Sequence, residues 1–185
     1  MAHLSISTTD IVLTPPGSLD GGVVNLTTLG GLDWIKTART AHSTYDTKSG
    51  GTIIGTPSNI NTPSFARYTD GYNLTNPELE WTDGAELGTY GGDYYTDYTS
   101  VSGSGRRVVI SPAGASVKIY LWVGQYNSIT GRVSVSVSDA SSTTVTSDRT
   151  TDADVTGARR VEILCQTTAN DATITVDYTF YSGSG

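Results

Sequence analysis

The stretch that decides the fold is "SVKIYLWVG", residues 116–124, in which small aliphatic side chains alternate with larger amphipathic ones. In an extended chain the aliphatic side chains fall on one side, and Lys118, Tyr120 and Trp122 fall on the other. A repeat of two is typical of a strand that buries one face. We therefore predict a central β-strand here, with an aliphatic face and an amphipathic, aromatic face.

The same alternation continues on the carboxyl side of this strand. In "RVSVSVSD", residues 132–139, valines alternate with serines, and the connection "GQYNSITG", residues 124–131, is short and turn-like. These features predict a hairpin between the two strands. Further on, "RRVEILCQTTANDATITVDYTFYS", residues 159–182, predicts a second pair of strands with "TAND" as the turn.

The composition extends the β prediction to the whole chain. The 185 residues include 21 glycines and are 36% hydrophobic, and the many serines, threonines and valines suit pleated surfaces and tight turns. A chain of this length can bury the core of a single domain. Short strands separated by glycine or proline therefore predict an all-β fold, an antiparallel β-sandwich that is jelly-roll-like.

The amino-terminal residues differ from the rest. Two prolines in "PPG", residues 15–17, cannot donate ladder hydrogen bonds and interrupt any strand that precedes them. We predict an arm over residues 1–20, a β-sandwich domain over residues 21–181 and a flexible tail over residues 182–185. The arm either docks on a partner outside the sandwich or forms an edge strand of its own domain.

Charge and cysteine content exclude several classes of partner and site. A formal net charge of −7 disfavours nucleic acid and anionic membrane surfaces, so we expect neither as a partner. The amino terminus lacks the pattern of a signal peptide, and no stretch is long and apolar enough to span a membrane. The single cysteine, Cys165, shares a strand face with Val161 and Ile163, which predicts a buried apolar side chain rather than a nucleophile.

The aromatic residues divide into two groups. Trp34 and Trp81 lie within predicted strands, and we assign both to the core. The run "GTYGGDYYTDYTSVSGSG", residues 88–105, mixes tyrosine with glycine and aspartate, a composition also favoured in binding loops. The alternative for this run is a twisted edge strand. We predict that the residues that bind a protein partner or a glycan are Tyr90, Asp93, Tyr94, Asp97, Tyr98 and Trp122.

The sequence contains no recognisable set of catalytic residues. It lacks the common zinc-protease, phosphate-loop and serine-hydrolase motifs, and its two histidines are far apart. Acidic residues cluster around "PELEWTDGAE", residues 77–86, but "WTDG" is typical of a strand followed by a turn. We therefore predict a protein that is not an enzyme. No cofactor is predicted apart from calcium, whose candidate loop ligands, with ordinary solvated turns as the alternative, are Asp70, Asn73, Asp83 and Glu86.

The order of short motifs along residues 22–181 resembles a β-sandwich module that recurs in bacterial multidomain surface proteins and beside carbohydrate-active catalytic domains. The motifs, in order, are "VNLTTLGGLDWIKTA", "YDTKSGGTIIG", "LEWTDG", "RVVISPAG", "VKIYLWVGQYNSITGRVSVSVSD" and "TITVDYTF". The resemblance implies a non-catalytic accessory module that binds glycans or serves as a spacer.

Three departures from that module change the expected function. In this sequence the module stands alone, an extra arm precedes it, and a tyrosine-rich run follows "WTDG". In these respects the chain is similar to bacteriophage virion proteins such as head-decoration or fibre components. We expect a structural protein on the virion surface whose partners are other virion proteins or identical subunits. The alternative is an extracellular carbohydrate-binding or adhesion module of a secreted bacterial protein.

Overall fold

The computed structural model describes twelve segments of the chain. They are residues 4–8, 23–37, 45–61, 66–68, 78–84, 88–89, 96–98, 101–125, 130–139, 144–150, 157–167 and 169–182. The regular elements in chain order are β1 (Leu4–Thr8), β2 (Val23–Asn25), α1 (Leu26–Leu29), β3 (Ile35–Thr37), β4 (Tyr45–Thr47), β5 (Ser58–Ile60), β6 (Ala66–Tyr68), β7 (Glu78–Trp81), β8 (Gly88–Thr89), β9 (Thr96–Tyr98), β10 (Gly105–Ile110), β11 (Ser116–Gln125), β12 (Thr130–Val137), β13 (Val145–Thr150), β14 (Gly157–Gln166) and β15 (Ile174–Ser182).

The protein is all-β, as the sequence predicts, and the described strands form two larger sheets and three smaller ones. One larger sheet has three strands in the order β1-β14-β11, and the other has five in the order β13-β12-β15-β10-β5. Every strand pair in these two sheets is antiparallel. The smaller sheets are β2-β7-β8, β3-β4 and β6-β9.

Three strand pairs of the larger sheets are nested along the chain, and β12 also pairs with β15. The innermost pair joins β12 to β13, the next joins β11 to β14, and the outermost joins β10 to β15. The hairpin predicted between residues 116–124 and 132–139 is therefore wrong, because β11 and β12 lie in different sheets. The second predicted pair is wrong for the same reason, since β14 and β15 are also in different sheets. The prediction of a central strand over residues 116–124 is wrong too, because β11 lies at the edge of its sheet among the described strands.

Both larger sheets contribute side chains to one buried cluster, which we call the main core. The alternation predicted from the sequence is confirmed, because Val117, Ile119 and Leu121 of β11 and every second side chain in the buried parts of β12, β14 and β15 belong to or pack against this cluster. Cys165 is fully buried there, as predicted. The buried members are Ile110, Val117, Val133, Val135, Val137, Val161, Ile163, Cys165, Ala172, Ile174 and Val176.

A second, smaller buried cluster lies among the first half of the described residues. It consists of Leu26, Trp34 and Trp81, and we call it the tryptophan cluster. Leu26 opens α1, a single turn in which the Asn25 side chain accepts a hydrogen bond from the Thr28 backbone N–H. The parallel pair β2 and β7 places this turn beside Trp81.

The amino-terminal segment forms an edge strand. Leu4–Thr8 pairs with β14 in an antiparallel register that runs from Leu4 opposite Cys165 to Thr8 opposite Val161. The same strand also lies against β13 of the other large sheet. Of the two alternatives raised by the sequence, this arrangement corresponds to the edge strand. Among the segments that the structure describes, no helix has the length and apolarity needed to cross a membrane.

Candidate functional site

The amphipathic side of β11 forms the outward surface of the three-stranded sheet. The register of β11 with β14 sets Tyr120 opposite Glu162 and Lys118 opposite Leu164. The Tyr120 and Trp122 rings are half-buried, with centroids 6.4 Å apart and planes inclined by 33°. We call Lys118, Tyr120, Trp122, Glu162 and Leu164 the aromatic face.

Charge on the aromatic face is balanced by a cross-strand ion pair. The Lys118 Nζ lies 2.9 Å from the Glu162 Oε2 and 5.2 Å from the centroid of the Tyr120 ring. A hydrogen bond to Glu162, with a further one to Tyr120, raises the pKa of Lys118, so its ammonium stays charged at neutral pH. The face therefore offers two rings for stacking beside groups that can hydrogen-bond a ligand.

The tryptophan cluster has a structural role, as the sequence predicts. Trp34 and Trp81 are 4% and 2% exposed, and their ring centroids lie 5.4 Å apart with planes inclined by 51°. The Lys36 Nζ lies 4.8 Å from the centroid of the Trp81 ring and 3.6 Å from the Asp46 Oδ2. Because Asp46 is directly opposite Lys36 in the β3–β4 register, this pair holds the ammonium over the indole ring.

Asp83 joins three separate segments to the tryptophan cluster. Its Oδ1 accepts hydrogen bonds from the Thr27 Oγ1 at 2.8 Å and from the Trp34 Nε1 at 2.9 Å. Its Oδ2 lies 3.0 Å from the Lys48 Nζ. Desolvation raises the pKa of Asp83, but the hydrogen bonds from Trp34, Thr27 and Lys48 and the Lys48 charge outweigh it and lower the pKa to about 2.

Lys48 completes this network on the side of α1. Its Nζ also donates to the backbone oxygens of Gly30 and Gly31, at 3.2 Å and 2.9 Å. The Lys48 N–H donates to the Trp34 carbonyl, and the Ser49 N–H donates to the Asp83 carbonyl. One lysine therefore fixes the turn after α1 to the turn after β7.

Asp33 links the tryptophan cluster to the main core. Its Oδ1 accepts from the Trp34 N–H, and its Oδ2 accepts from the N–H groups of Ile53 and Ile54, each at 2.8 Å. Both isoleucines pack against the main core. The position of the tryptophan cluster relative to the large sheets is thus set by hydrogen bonds to a carboxylate.

Gly84 allows the two indole rings to approach the backbone. A Cβ at this position would lie 2.5 Å from the Trp81 Nε1 and 2.9 Å from the Trp34 Cη2. Such distances are below those of real side-chain contacts, so any larger residue would displace a ring. The glycine of "WTDG" is therefore explained by close packing.

The predicted binding residues are only partly covered by the structure. Tyr90, Asp93 and Tyr94 lie outside the described residues. Asp97 and Tyr98 belong to β9, where they pair with Arg67 and Ala66 of β6, and the structure describes their backbone only. Trp122 lies on the aromatic face. The tyrosine-rich run as a binding surface stays a prediction.

The candidate calcium ligands are covered at one position. Asp70, Asn73 and Glu86 lie outside the described residues, whereas both carboxylate oxygens of Asp83 are engaged by donors within the protein. In the described segments, no group of three or more histidine, cysteine or acidic side chains is placed to hold a metal ion. Asp83 therefore lends the calcium hypothesis no support, because its geometry is explained by Thr27, Trp34 and Lys48.

The sequence missed two of the four neighbours of Trp122 on the aromatic face, Glu162 and Leu164. The alternation of β11 places Lys118 and Tyr120 beside Trp122, and this signal was available in the sequence. Glu162 and Leu164 belong to β14, and only the long-range register brings them to the same surface.

The chain was compared with family models, curated proteins and solved structures, and none of them matches it. The resemblance to a bacterial β-sandwich module and to phage virion proteins therefore stays a prediction.

Proposed function

We propose that the two larger sheets stack face to face as an antiparallel β-sandwich with jelly-roll-like winding. Side chains of both sheets share the main core, as the facing layers of a sandwich do. The nested pairs alternate between the sheets, with β12–β13 and β10–β15 in one and β11–β14 in the other. A long hairpin that is rolled into two layers gives this alternation.

On this basis the chain is a non-enzymatic structural protein of a virus particle, a phage head-decoration or fibre component displayed on the virion surface. One observation carries the proposal. The charged groups around the tryptophan cluster are used to tie segments of the fold together, as Asp33, Asp83 and Lys48 each join two or more segments. Such use of charge suits a protein whose role is to hold a shape for its neighbours.

The test is to look for the chain in particles. Virus particles whose genome carries the gene for this chain are purified on a density gradient and analysed by mass spectrometry. We expect this chain to sediment with the capsid and tail proteins in a fixed ratio to them. Recovery of the chain only from the soluble fraction of the lysate would contradict the virion assignment.

A second candidate function, carbohydrate binding, is favoured by the aromatic face. Tyr120 and Trp122 present neighbouring rings on a sheet surface, beside the Lys118–Glu162 pair. Aromatic rings stack on the apolar faces of sugars, and charged groups hydrogen-bond sugar hydroxyls. If this surface binds glycans, Trp122→Ala should abolish retention on an immobilised polysaccharide panel, whereas Val109→Ala, at an exposed position on the other larger sheet, should not. Retention of Trp122→Ala at the level of the wild type would exclude this face as the glycan site.

A further inference from the structure

Three of the four edge strands in the two larger sheets are covered or short. The edges are β1 and β11 in one sheet and β5 and β13 in the other. β1 and β13 lie against each other, so the two sheets meet on that side. β5 has three residues, and the segment before it continues along β10, where the Gly55 N–H donates to the Val109 carbonyl and the Ser111 N–H to the Ile53 carbonyl.

The fourth edge, β11, has the properties of an open edge. It is ten residues long and keeps one continuous register with β14 from Ser116 to Gln125. It contains no proline and a single charged residue, Lys118, whereas β13 contains Asp148 and Arg149. Among the strands that the structure describes, none lies along its second side.

A long, regular and weakly charged edge is a template for another strand. We propose that β11 pairs with β11 of a second copy of this chain, antiparallel and related by a two-fold axis. This pairing joins the two three-stranded sheets into one continuous sheet and closes both open edges at once.

The two faces of the strand limit the possible registers. Residues directly opposite each other in an antiparallel pair lie on the same face of the sheet. A two-fold axis between two neighbouring residues would set residues of opposite faces against each other, so the axis must pass through a residue. Centring on Tyr120 sets Tyr120 opposite its own copy and Lys118 opposite the second copy's Trp122, where the ammonium can lie over an indole ring. Centring on Leu121 would set Lys118 opposite Gly124 and lose that contact, and centring on Ile119 would replace the indole ring with the Tyr120 ring, which attracts a cation less strongly.

Charge is compatible with this pairing. Each chain carries a formal net charge of −7, so two copies repel each other at long range. β11 itself contains no acidic residue, and its one charge is the Lys118 ammonium. The repulsion is therefore not concentrated at the edge, and raising the salt concentration should strengthen the dimer.

The proposed virion role leaves two kinds of partner open, other virion proteins and identical subunits, and self-association selects the second. The dimer proposal depends on the open edge of β11 and not on the virion assignment. A dimer that is missing from particles would contradict the virion role alone, and incorporation of a monomer would contradict the dimer alone.

The first experiment measures mass in solution. Sedimentation velocity and light scattering over a range of protein concentrations should give a dimer for the wild type. Tyr120→Lys sets two ammonium groups opposite each other across the axis, on a face where Glu162 is already paired with Lys118. We expect it to weaken the dimer by about tenfold or more. Tyr120→Phe, the matched control, should leave the dimer intact. A monomeric wild type, a dimeric Tyr120→Lys or a monomeric Tyr120→Phe would each overturn the proposal.

The second experiment tests the register by cross-linking and does not depend on the folding of Tyr120→Lys. The native thiol at Cys165 is fully buried and does not compete for the oxidant. Tyr120→Cys should form a disulfide-linked dimer on mild oxidation, because residues directly opposite on paired strands have Cβ atoms about 5 Å apart. Lys118→Cys should remain unlinked, since its copies are separated by several residues. Cross-linking at 118 but not at 120 would overturn the proposed pairing.

Discussion

The main core and the tryptophan cluster achieve burial by different means. Among the described residues, the main core contains eleven buried side chains, ten from the two larger sheets and Ala172 from the loop between β14 and β15, all of them small or aliphatic. The tryptophan cluster contains three buried residues and is surrounded by ion pairs and hydrogen bonds from Asp33, Asp83 and Lys48. Where strands supply abundant aliphatic side chains, burial alone organises the structure. Where they do not, directed polar contacts position a few large rings.

The main core and the tryptophan cluster should therefore lose stability under different perturbations. Removing buried methyl groups acts on the main core, because its stability comes from apolar burial and close packing. The tryptophan cluster should respond to added bulk beside its rings and to protonation of Asp83.

The largest expected effect is in the main core. Ile163 is fully buried, whereas its neighbour Leu164 is 48% exposed on the opposite face of β14. We expect Ile163→Ala to lower the free energy of unfolding by about 2 to 5 kcal/mol, because it removes a buried side chain and leaves a cavity. The matched control, Leu164→Ala, should change it by about 1 kcal/mol or less. Urea denaturation of both variants makes the measurement, and equal losses would show that β14 does not have one buried face.

A smaller effect is expected beside the indole rings. Gly84→Ala places a methyl group against Trp81 and Trp34, and we expect it to lower the free energy of unfolding by about 1 to 3 kcal/mol. Gly31 is the control, because a Cβ at that position meets no atom within 4 Å. Thermal denaturation followed by tryptophan fluorescence reports on the rings directly. A Gly84→Ala protein as stable as Gly31→Ala would mean that the rings move aside freely.

The smallest effect concerns the pH dependence of the tryptophan cluster. The pKa of Asp83 in the folded protein is about 2, below its ordinary value of 3.8. The Asp83 carboxylate therefore binds protons more tightly in the unfolded chain than in the folded protein. The contribution of ionised Asp83 to stability is fully present above about pH 4 and is lost as the pH falls through about 2. The melting temperature of Asp83→Asn should lie below that of the wild type at pH 5.

The comparison between these two proteins isolates Asp83 from the other carboxylates that titrate in the same range. The difference in melting temperature should shrink steadily from pH 4 to pH 2 in dilute salt. A difference that stays constant over this range would show that the Asp83 charge does not stabilise the fold.

The sequence predicted the faces of strands better than their neighbours. Alternation identified the buried positions of β12 and β14 because the side-chain period of a strand is a local property. The predicted hairpins failed because pairing is not local. Val117 lies opposite Cys165, and no short pattern joins two residues so far apart. A short loop between two strands favours a hairpin but does not prevent the chain from crossing to another sheet.

The candidate site was predictable to the same limited extent. The period alone placed Trp122 on the face opposite the aliphatic side chains, but it did not show whether that face is exposed. The role of Asp83 could not, because Thr27, Trp34 and Lys48 come from three distant segments. "WTDG" predicted the end of a strand, and β7 ends at Trp81, but the motif carries no information about which donors reach the carboxylate.

The nested order of the strand pairs has a consequence for how fast the protein folds. Each outer pair joins parts of the chain that are further apart than the pair inside it, so each closes a longer loop at a greater entropic cost. Chains dominated by such distant pairings refold in milliseconds to seconds, whereas helical bundles refold in microseconds to milliseconds. We expect stopped-flow tryptophan fluorescence to place this protein in the slower range, and complete refolding within microseconds would contradict the nested pairing. Until these distant pairs form, the apolar side chains of the main core stay exposed to solvent, so aggregation during refolding should increase with protein concentration.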